Sequence, residues 1–580
     1  MYHCHFFNVS KPQSTRISII LIKITLFLPA SVLLLPESSQ AAPATSTISQ
    51  PLINQQQRQQ ALEQQITPVA PDIRFAPPLT PTPKNGFPTE VLCFPISQVR
   101  LSGTEALPHW LPLQHLANQA IGHCLGVKGI NLLMARLQNR LIDHGWVTTQ
   151  VLAPQQALTS GTLHLVILAG FVHDVRLTPD SSTYATLYTA FPAHRGNVLD
   201  LRDIEQGLEN LQRLPTVSTS MDIVPGERPG ESDIVIKRHQ SRLWRVDASL
   251  DNSGATSTGK YLGMLTASLD NPLSLSDLFY LSGSHNLDGN GSGKSSESLT
   301  AHYSVPFGYW LMGATASRYN YVQTVAGLNG DYQYSGNSKD IDIQVSYLLH
   351  RNSNQKTTLT ADVMAREQHN VINDTEIDVQ RRQTAAWKLG LQHRHYIGST
   401  ILDAGMSYQR GTRWLGAIPA PEEFWGEATA LSKILQMSAQ LTLPFSVAEQ
   451  HFQFNTHYFR QMSNTPLTPP DMLSIGNRWT VRGFDGERTL TASHGWYVRN
   501  TLAWATPLPA QELYIGADYG EVGGRGEETL VGNHLAGGVV GLRGQYRQAG
   551  YDLFAGTPLS KPDGLKTDSV TVGFSLNWSY

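Results

Sequence analysis

A chain of 580 residues with 15% charged residues, 48 glycines and 21 tyrosines has room for several domains and carries fewer charges than an ordinary cytosolic enzyme. Its formal net charge of -3 provides no basic field for nucleic acid, which excludes that class of partner. Beyond the N-terminal segment no apolar run reaches the roughly 18 residues of a spanning helix, so any passage through a membrane is by strands.

In chain order, Lys11 and Arg16 precede an apolar stretch from Ile17 to Leu35 that Lys23 interrupts. Small residues at Ser39-Gln40-Ala41 or Ala42-Pro43-Ala44 then make residues 1–41 a cleaved signal peptide rather than an anchor. Cleavage removes Cys4. Cys93 and Cys124 remain, an even pair in an oxidising compartment without the close spacing of a zinc site, and a disulfide is expected. Within residues 42–66, the glutamine-rich stretch from Leu52 to Ile66 has only Leu52, Leu62 and Ile66 as apolar anchors. It reads as a helix that needs a polar host, and a disordered terminus fits the composition equally. Residues 67–90 carry Pro68, Pro71, Pro77, Pro78, Pro81, Pro83 and Pro88, a stiff linker rising about 3 Å per residue.

Two α/β units follow, over 91–170 and 171–240. The first reads as a strand at Ile96 to Leu101, a helix at Ile130 to His144 and strands at Val147 to Leu152 and Leu163 to Leu168. Leu133, Leu137 and Leu141 share one face of that helix. The second repeats the order: Val172 to Leu177, a helix at Leu201 to Leu214 with Ile204, Leu208 and Leu211 inward, then Val217 to Val224 and Asp233 to Lys237.

From Leu243 to the end the pattern becomes short alternating strands separated by Gly, Asn, Ser and Asp, as at Tyr261 to Leu269, Ile341 to Leu349, Leu435 to Leu443 and Phe452 to Tyr458. In the final stretch Val570, Val572, Phe574, Leu576, Trp578 and Tyr580 alternate with small or polar residues. One greasy face, one wet face and a terminal aromatic suit an outer-membrane barrel with a watery lumen. Its length divides into about 16 antiparallel strands.

These residues carry a resemblance to a known family. The run from Leu201 to Pro215, followed by Pro225-Gly226 and Pro229 to Asp233, resembles a second POTRA domain. Asp251 to Gly254 and Asp270 to Leu273 resemble a first barrel hairpin. Val481-Arg482-Gly483-Phe484 and Asp518-Tyr519-Gly520-Glu521-Val522 are the most specific matches. Together they resemble the outer-membrane transporters of two-partner secretion (TpsB), which include haemolysin and haemagglutinin secretion proteins. The resemblance implies a transmembrane β-barrel with two N-terminal periplasmic POTRA domains and an N-terminal plug helix. It implies export of a secreted exoprotein of the TpsA type through its N-terminal secretion domain, by strand addition to the POTRA modules. Outer-membrane lipid, periplasmic chaperones and the barrel-assembly machinery are the other implied partners; no cofactor is implied.

In the family the first tetrapeptide tips a loop folded back into the barrel, and the second motif lies on the inner wall. Alternation agrees. With Leu513, Ile515, Ala517 and Tyr519 toward lipid, Tyr514, Gly516, Asp518 and Gly520 face the lumen. Arg482 offers a planar fork that fits a carboxylate, and Gly483 and Gly520 permit close approach. In a wet lumen such a pair is worth about 1 to 4 kcal/mol, which holds a loop and lets it exchange.

Signals for catalysis are poor. Gly289 to Ser295 imitates the end of a phosphate loop, but Asp288 stands where the leading glycine belongs. His393 and His395 share a strand side without a completing ligand, and His302, His350 and His494 have no spacing that selects a triad. A passive porin has no use for two modules and a tethered helix. The competing reading is a barrel-assembly or insertion factor of the same superfamily.

Overall fold

A computed structural model describes residues 53–61, 63, 72–76, 79–83 and 86–580, apart from 289–292, 328–329, 525–526 and 528–529. The expected signal peptide, parts of the helix and linker, and most of the Gly289 to Ser295 turn lie outside the described residues.

In the first module the leucines spaced along Val127–Asp143 bury Leu133, Leu137 and Leu141 against Leu163 and Leu165 of a three-stranded sheet. That sheet runs Gln98–Ser102, Thr162–Leu168, Gln150–Leu152, its first pair parallel and its second antiparallel. The third strand is shorter than alternation suggested, because Val147 and Thr148 are spent on the turn that leaves the helix. The second module repeats this order with Phe171–Leu177, Glu231–Gln240 and Val217–Pro225, covered by the helix Leu201–Gln212. Asp200 starts that helix, its carboxylate accepting the Arg202 N–H at 2.8 Å.

Sixteen long strands, from Trp244–Asp251 to Thr571–Ser579, form a closed antiparallel barrel, with the two-residue strand Thr375–Glu376 as an addition at one edge. The last strand meets the first from Ser575 opposite Asp251 to Ser579 opposite Asp247, so no ladder is left unpaired. Apolar side chains such as Leu265, Ile341, Ile515, Val540 and Val572 point outward and are exposed, a surface that only lipid satisfies. Turns at the end bearing the modules are tight, as between Ser295–Phe307 and Trp310–Gly327 or Arg382–Ile397 and Thr400–Thr412. Loops at the other end are long, and residues 464–493 make a large one.

Candidate functional site: the lumen

The loop over residues 464–493 folds into the barrel and is stiffened by a small hairpin, Leu473–Ile475 paired with Leu490–Ala492. At its turn, Asn477 Oδ1 accepts the N–H groups of Trp479 at 3.0 Å and Thr480 at 3.1 Å, an arrangement that points the following residues at the wall. Val481 and Phe484 are buried there with Leu473, Ile475, Leu490, Tyr497, Val522 and Leu535. Arg482 lies between these two apolar residues.

The wall opposite is built by three neighbouring strands, Gln511–Gly523, His534–Tyr546 and Ala549–Ser560. Ile515 is 59% exposed on the outer side, while Asp518 on the inner side is 3% exposed. Arg482 donates from Nε to Asp518 Oδ2 at 2.6 Å and from Nη2 to Oδ1 at 2.8 Å. The backbone N–H groups of Arg482, at 3.0 Å, and Asn500, at 3.1 Å, complete four donors on the carboxylate, which fill its acceptor sites. Arg482 Nη2 also reaches the Asn500 carbonyl at 2.9 Å and Thr501 Oγ1 at 3.0 Å.

This differs from a pair washed by lumen water. Arg482 is only 8% exposed, so the low-dielectric regime applies and removal of one partner would cost about 3 to 5 kcal/mol. Burial follows from a shelf of glycines. Gly483 has φ +101°, and a Cβ there would stand 2.5 Å from the Thr557 carbonyl oxygen. On the wall, a Cβ at Gly516 would meet Arg482 Nη2 at 2.6 Å, at Gly520 Val481 Cγ2 at 2.8 Å, at Gly537 the Arg482 carbonyl oxygen at 1.8 Å, and at Gly556 Gly483 Cα at 2.8 Å.

Gly537 and Gly556 escaped the sequence reading. Alternation gives the face of a residue, but the register that sets Gly537 opposite Asp518 and Gly556 opposite Val539 comes only from strand pairing. Arg499, which donates to the Trp479 carbonyl at 2.8 Å, was missed for the same reason: it stands across from Asp518 in the ladder.

A second body occupies the lumen. Residues 53–61 are helical, and their polar side chains bond to the inward loop and the wall. Gln57 donates to the Ser474 carbonyl at 3.3 Å and accepts from Asn477 Nδ2 at 2.6 Å. Asn54 donates to the Gly486 carbonyl at 3.3 Å, Arg58 to Ser253 Oγ at 3.1 Å, and Thr300 Oγ1 to Gln59 Oε1 at 3.1 Å. A helix too polar to bury an apolar stripe is thus held by side-chain hydrogen bonds. Beside it the lumen narrows to a cavity of about 790 Å³, lined by Gln56, Gln60, Asp340, Asp362 and Lys388 among others.

Cys93 and Cys124 are joined, their Cα atoms 5.3 Å apart. The bond holds the start of the first module beside the N-terminus of Val127–Asp143, where Glu90 accepts the N–H groups of Gly126, Lys128 and Gly129. Tyr580 lies at the seam, exchanging backbone hydrogen bonds with Val246 and stacking on Trp578. His393 and His395 stand 5.9 Å apart ring to ring.

Residues 230–544 match the family model described as haemolysin secretion/activation protein ShlB/FhaC/HecB. Residues 94–170 match a POTRA domain of the ShlB type, and 171–225 a POTRA domain. The chain is 35% identical over 583 residues to outer membrane transporter CdiB-2 of Burkholderia pseudomallei (strain 1026b), covering 97% of this chain and 99% of that one. It is 27% identical to hemolysin transporter protein ShlB of Serratia marcescens, covering 89% of each. Among solved structures, CdiB from Escherichia coli superimposes with a TM-score of 0.84 at 27% identity, over 93% of this chain and 100% of that one.

Proposed function

As a member of the haemolysin secretion/activation protein family, the chain is an outer-membrane transporter of Gram-negative bacteria, and we propose that it exports one large exoprotein whose N-terminal secretion domain docks on the two POTRA modules. The observation that carries this reading is the doubly filled lumen: the helix at 53–61 and the loop bearing Arg482 are hydrogen-bonded to each other inside the barrel. A passive pore gains nothing from such an obstruction. A polypeptide exporter needs one that leaves when cargo arrives. The first module's sheet ends in the edge strands Gln98–Ser102 and Gln150–Leu152, where the Gln114 side chain holds the Val99 carbonyl and the Gln138 side chain accepts the Val151 N–H, contacts that an unfolded cargo strand adding to either edge would replace. The cargo is a haemolysin, an adhesin or a contact-dependent-inhibition toxin, and the hemolysin transporter among the relatives fits the first. Periplasmic chaperones and the barrel-assembly machinery act on the chain during biogenesis, with the terminal strand ending at Tyr580 as the barrel signal.

Deletion of residues 94–170 tests the reading against an assembly factor. The expected result is loss of one exoprotein from the cell surface while other barrel proteins insert at their normal level. Failure of many barrels to insert would overturn it, as would continued export by the deletion protein.

A further inference from the structure

The strand Gly330–Arg351 ends at the rim facing the modules, and its last residue, Arg351, is buried. All five N–H groups of its guanidinium have partners. Nε donates to Glu205 Oε2 at 3.1 Å, Nη1 to Glu209 Oε2 at 2.8 Å and Gln206 Oε1 at 3.0 Å, and Nη2 to Glu209 Oε1 at 2.8 Å and to the Ile73 carbonyl. Glu205 and Glu209 stand one turn apart on the second module's helix Leu201–Gln212. The same two carboxylates accept the linker's backbone: Ile73 N–H donates to Glu209 at 2.9 Å and Phe75 N–H to Glu205 at 2.6 Å. Ile73 and Phe75 also pack on the core of that module. Asp72 is held from the barrel side by Lys356 at 3.2 Å, Arg394 at 3.3 Å and Tyr396 at 2.5 Å. Barrel rim, module helix and linker therefore meet on one side chain.

This junction sets the leash of the lumen helix. Eight residues lie between Glu63 and Asp72, a reach of at most about 30 Å. Arg74, over the Tyr396 ring at 3.7 Å, and Phe75 are held beside Asp72, and beyond them, among the described residues, Thr80 is bonded in both directions to Asn139 of the first module. Release of residues 72–75 together adds eight residues up to Thr80, about 26 Å of slack.

We propose that Arg351 is a positioning residue that couples the second module to the lumen helix: displacement of Leu201–Gln212 by a docking polypeptide takes Glu205 and Glu209 from Arg351 and from the linker backbone, leaves the linker on its Asp72 contacts alone and lets the helix leave. The two carboxylates supply a grip on the barrel and part of the grip on the linker, whose other part is the hold of Lys356, Arg394 and Tyr396 on Asp72. This rests on the transport reading above.

The test uses the full-length protein in planar lipid bilayers, with heat-shifted electrophoretic mobility as the check on folding. Arg351→Met and the double change Glu205→Gln with Glu209→Gln are expected to raise the time spent at open conductance roughly tenfold, the effect of about 1.4 kcal/mol. The reciprocal pair Arg351→Glu with Glu209→Arg is expected to restore much of the closed state. Asp72→Asn cuts only the linker arm and is expected to open the channel without speeding hydrogen exchange in residues 201–212. Conductance unchanged from the parent in folded Arg351→Met overturns the proposal; if that variant fails to insert, unchanged conductance in Asp72→Asn overturns it. Loss of export on deletion of residues 94–170 is a separate outcome, so failure of the coupling and failure of the transport reading are told apart.

Discussion

Two buried arginines anchor this molecule, Arg482 in the lumen and Arg351 at the rim, and they are held differently. Around Arg482 the backbone is pressed against three wall strands, with Gly483, Gly537 and Gly556 leaving no space for a β-carbon. Around Arg351 the carboxylates come from side chains of a separate module, and the Ile73 carbonyl is the backbone partner. The lumen anchor is fixed by shape as well as charge. The rim anchor is fixed by side-chain hydrogen bonds and a few linker contacts, with Asn210 on the Gly308 carbonyl at 2.7 Å and Arg213 on Ser304 Oγ at 2.7 Å beside it, and among the described residues no backbone is pressed on backbone as at the lumen anchor. Under the coupling proposed above, the rim is the point of release and the lumen the point of retention.

The largest expected effect is at the lumen anchor. Asp518→Ala leaves the Arg482 guanidinium buried without its carboxylate, at a cost of about 3 to 5 kcal/mol to the seated loop. Hydrogen exchange of the amides at 480–484 should accelerate by two orders of magnitude or more, on the order of 10²–10³-fold; unchanged exchange would show that the glycine shelf alone holds the loop. Next is Gly537→Ala, whose new methyl meets the Arg482 carbonyl oxygen at 1.8 Å. It should loosen the same amides by about 1 to 3 kcal/mol with every charge retained. An Ala variant as well protected as the parent would remove shape from the comparison.

The helix that carries the rim carboxylates has its own titrating group. Burial raises the Asp200 carboxyl to about 7, with the Arg202 N–H opposing that shift and the neighbouring Asp203 charge adding to it. Between about pH 4 and pH 7 the folded module keeps a proton that the unfolded chain has released. Its contribution is therefore fully present at low pH and is lost as pH rises through about 7. Local stability of residues 201–212 should fall by on the order of 1 to 2 kcal/mol from about pH 5 to about pH 7.5, and Asp200→Asn should flatten that slope. A slope that persists in the Asn variant assigns the effect to another group. The smallest change is Lys356→Met, which removes one cation shared by Glu209 and Asp72 while leaving Arg351 in place. About 1 kcal/mol of rim stability should be lost, visible as a modest rise in channel openings; an effect as large as that of Arg351→Met would make Lys356 the equal of the arginine.

Much of this molecule is legible along the chain. The period of two from Leu243 onward marks barrel strands, and the same alternation turns Asp518 inward before any neighbour is known. Leucines at helical spacing identify Val127–Asp143 and Leu201–Gln212. The loop's partner strand is legible only through the matched motifs at Arg482 and Asp518. The glycine shelf was not, since Gly537 and Gly556 become a surface only when two registers are set. Nor was the rim junction, because Arg351 is 146 residues from Glu205 and 278 from Ile73.

Local periodicity by itself determined which residues form strands and helices and which face of each turns to lipid, water or core, because those preferences depend on neighbours two to four positions away. Closure of the barrel and docking of the second module decided which buried charges meet, since a guanidinium is desolvated only when distant segments exclude water from it together. Thus the pattern specifies a hollow, two-faced wall, and the tertiary structure fills it with a helix and a loop, anchoring the loop inside the lumen and the helix's linker at the rim.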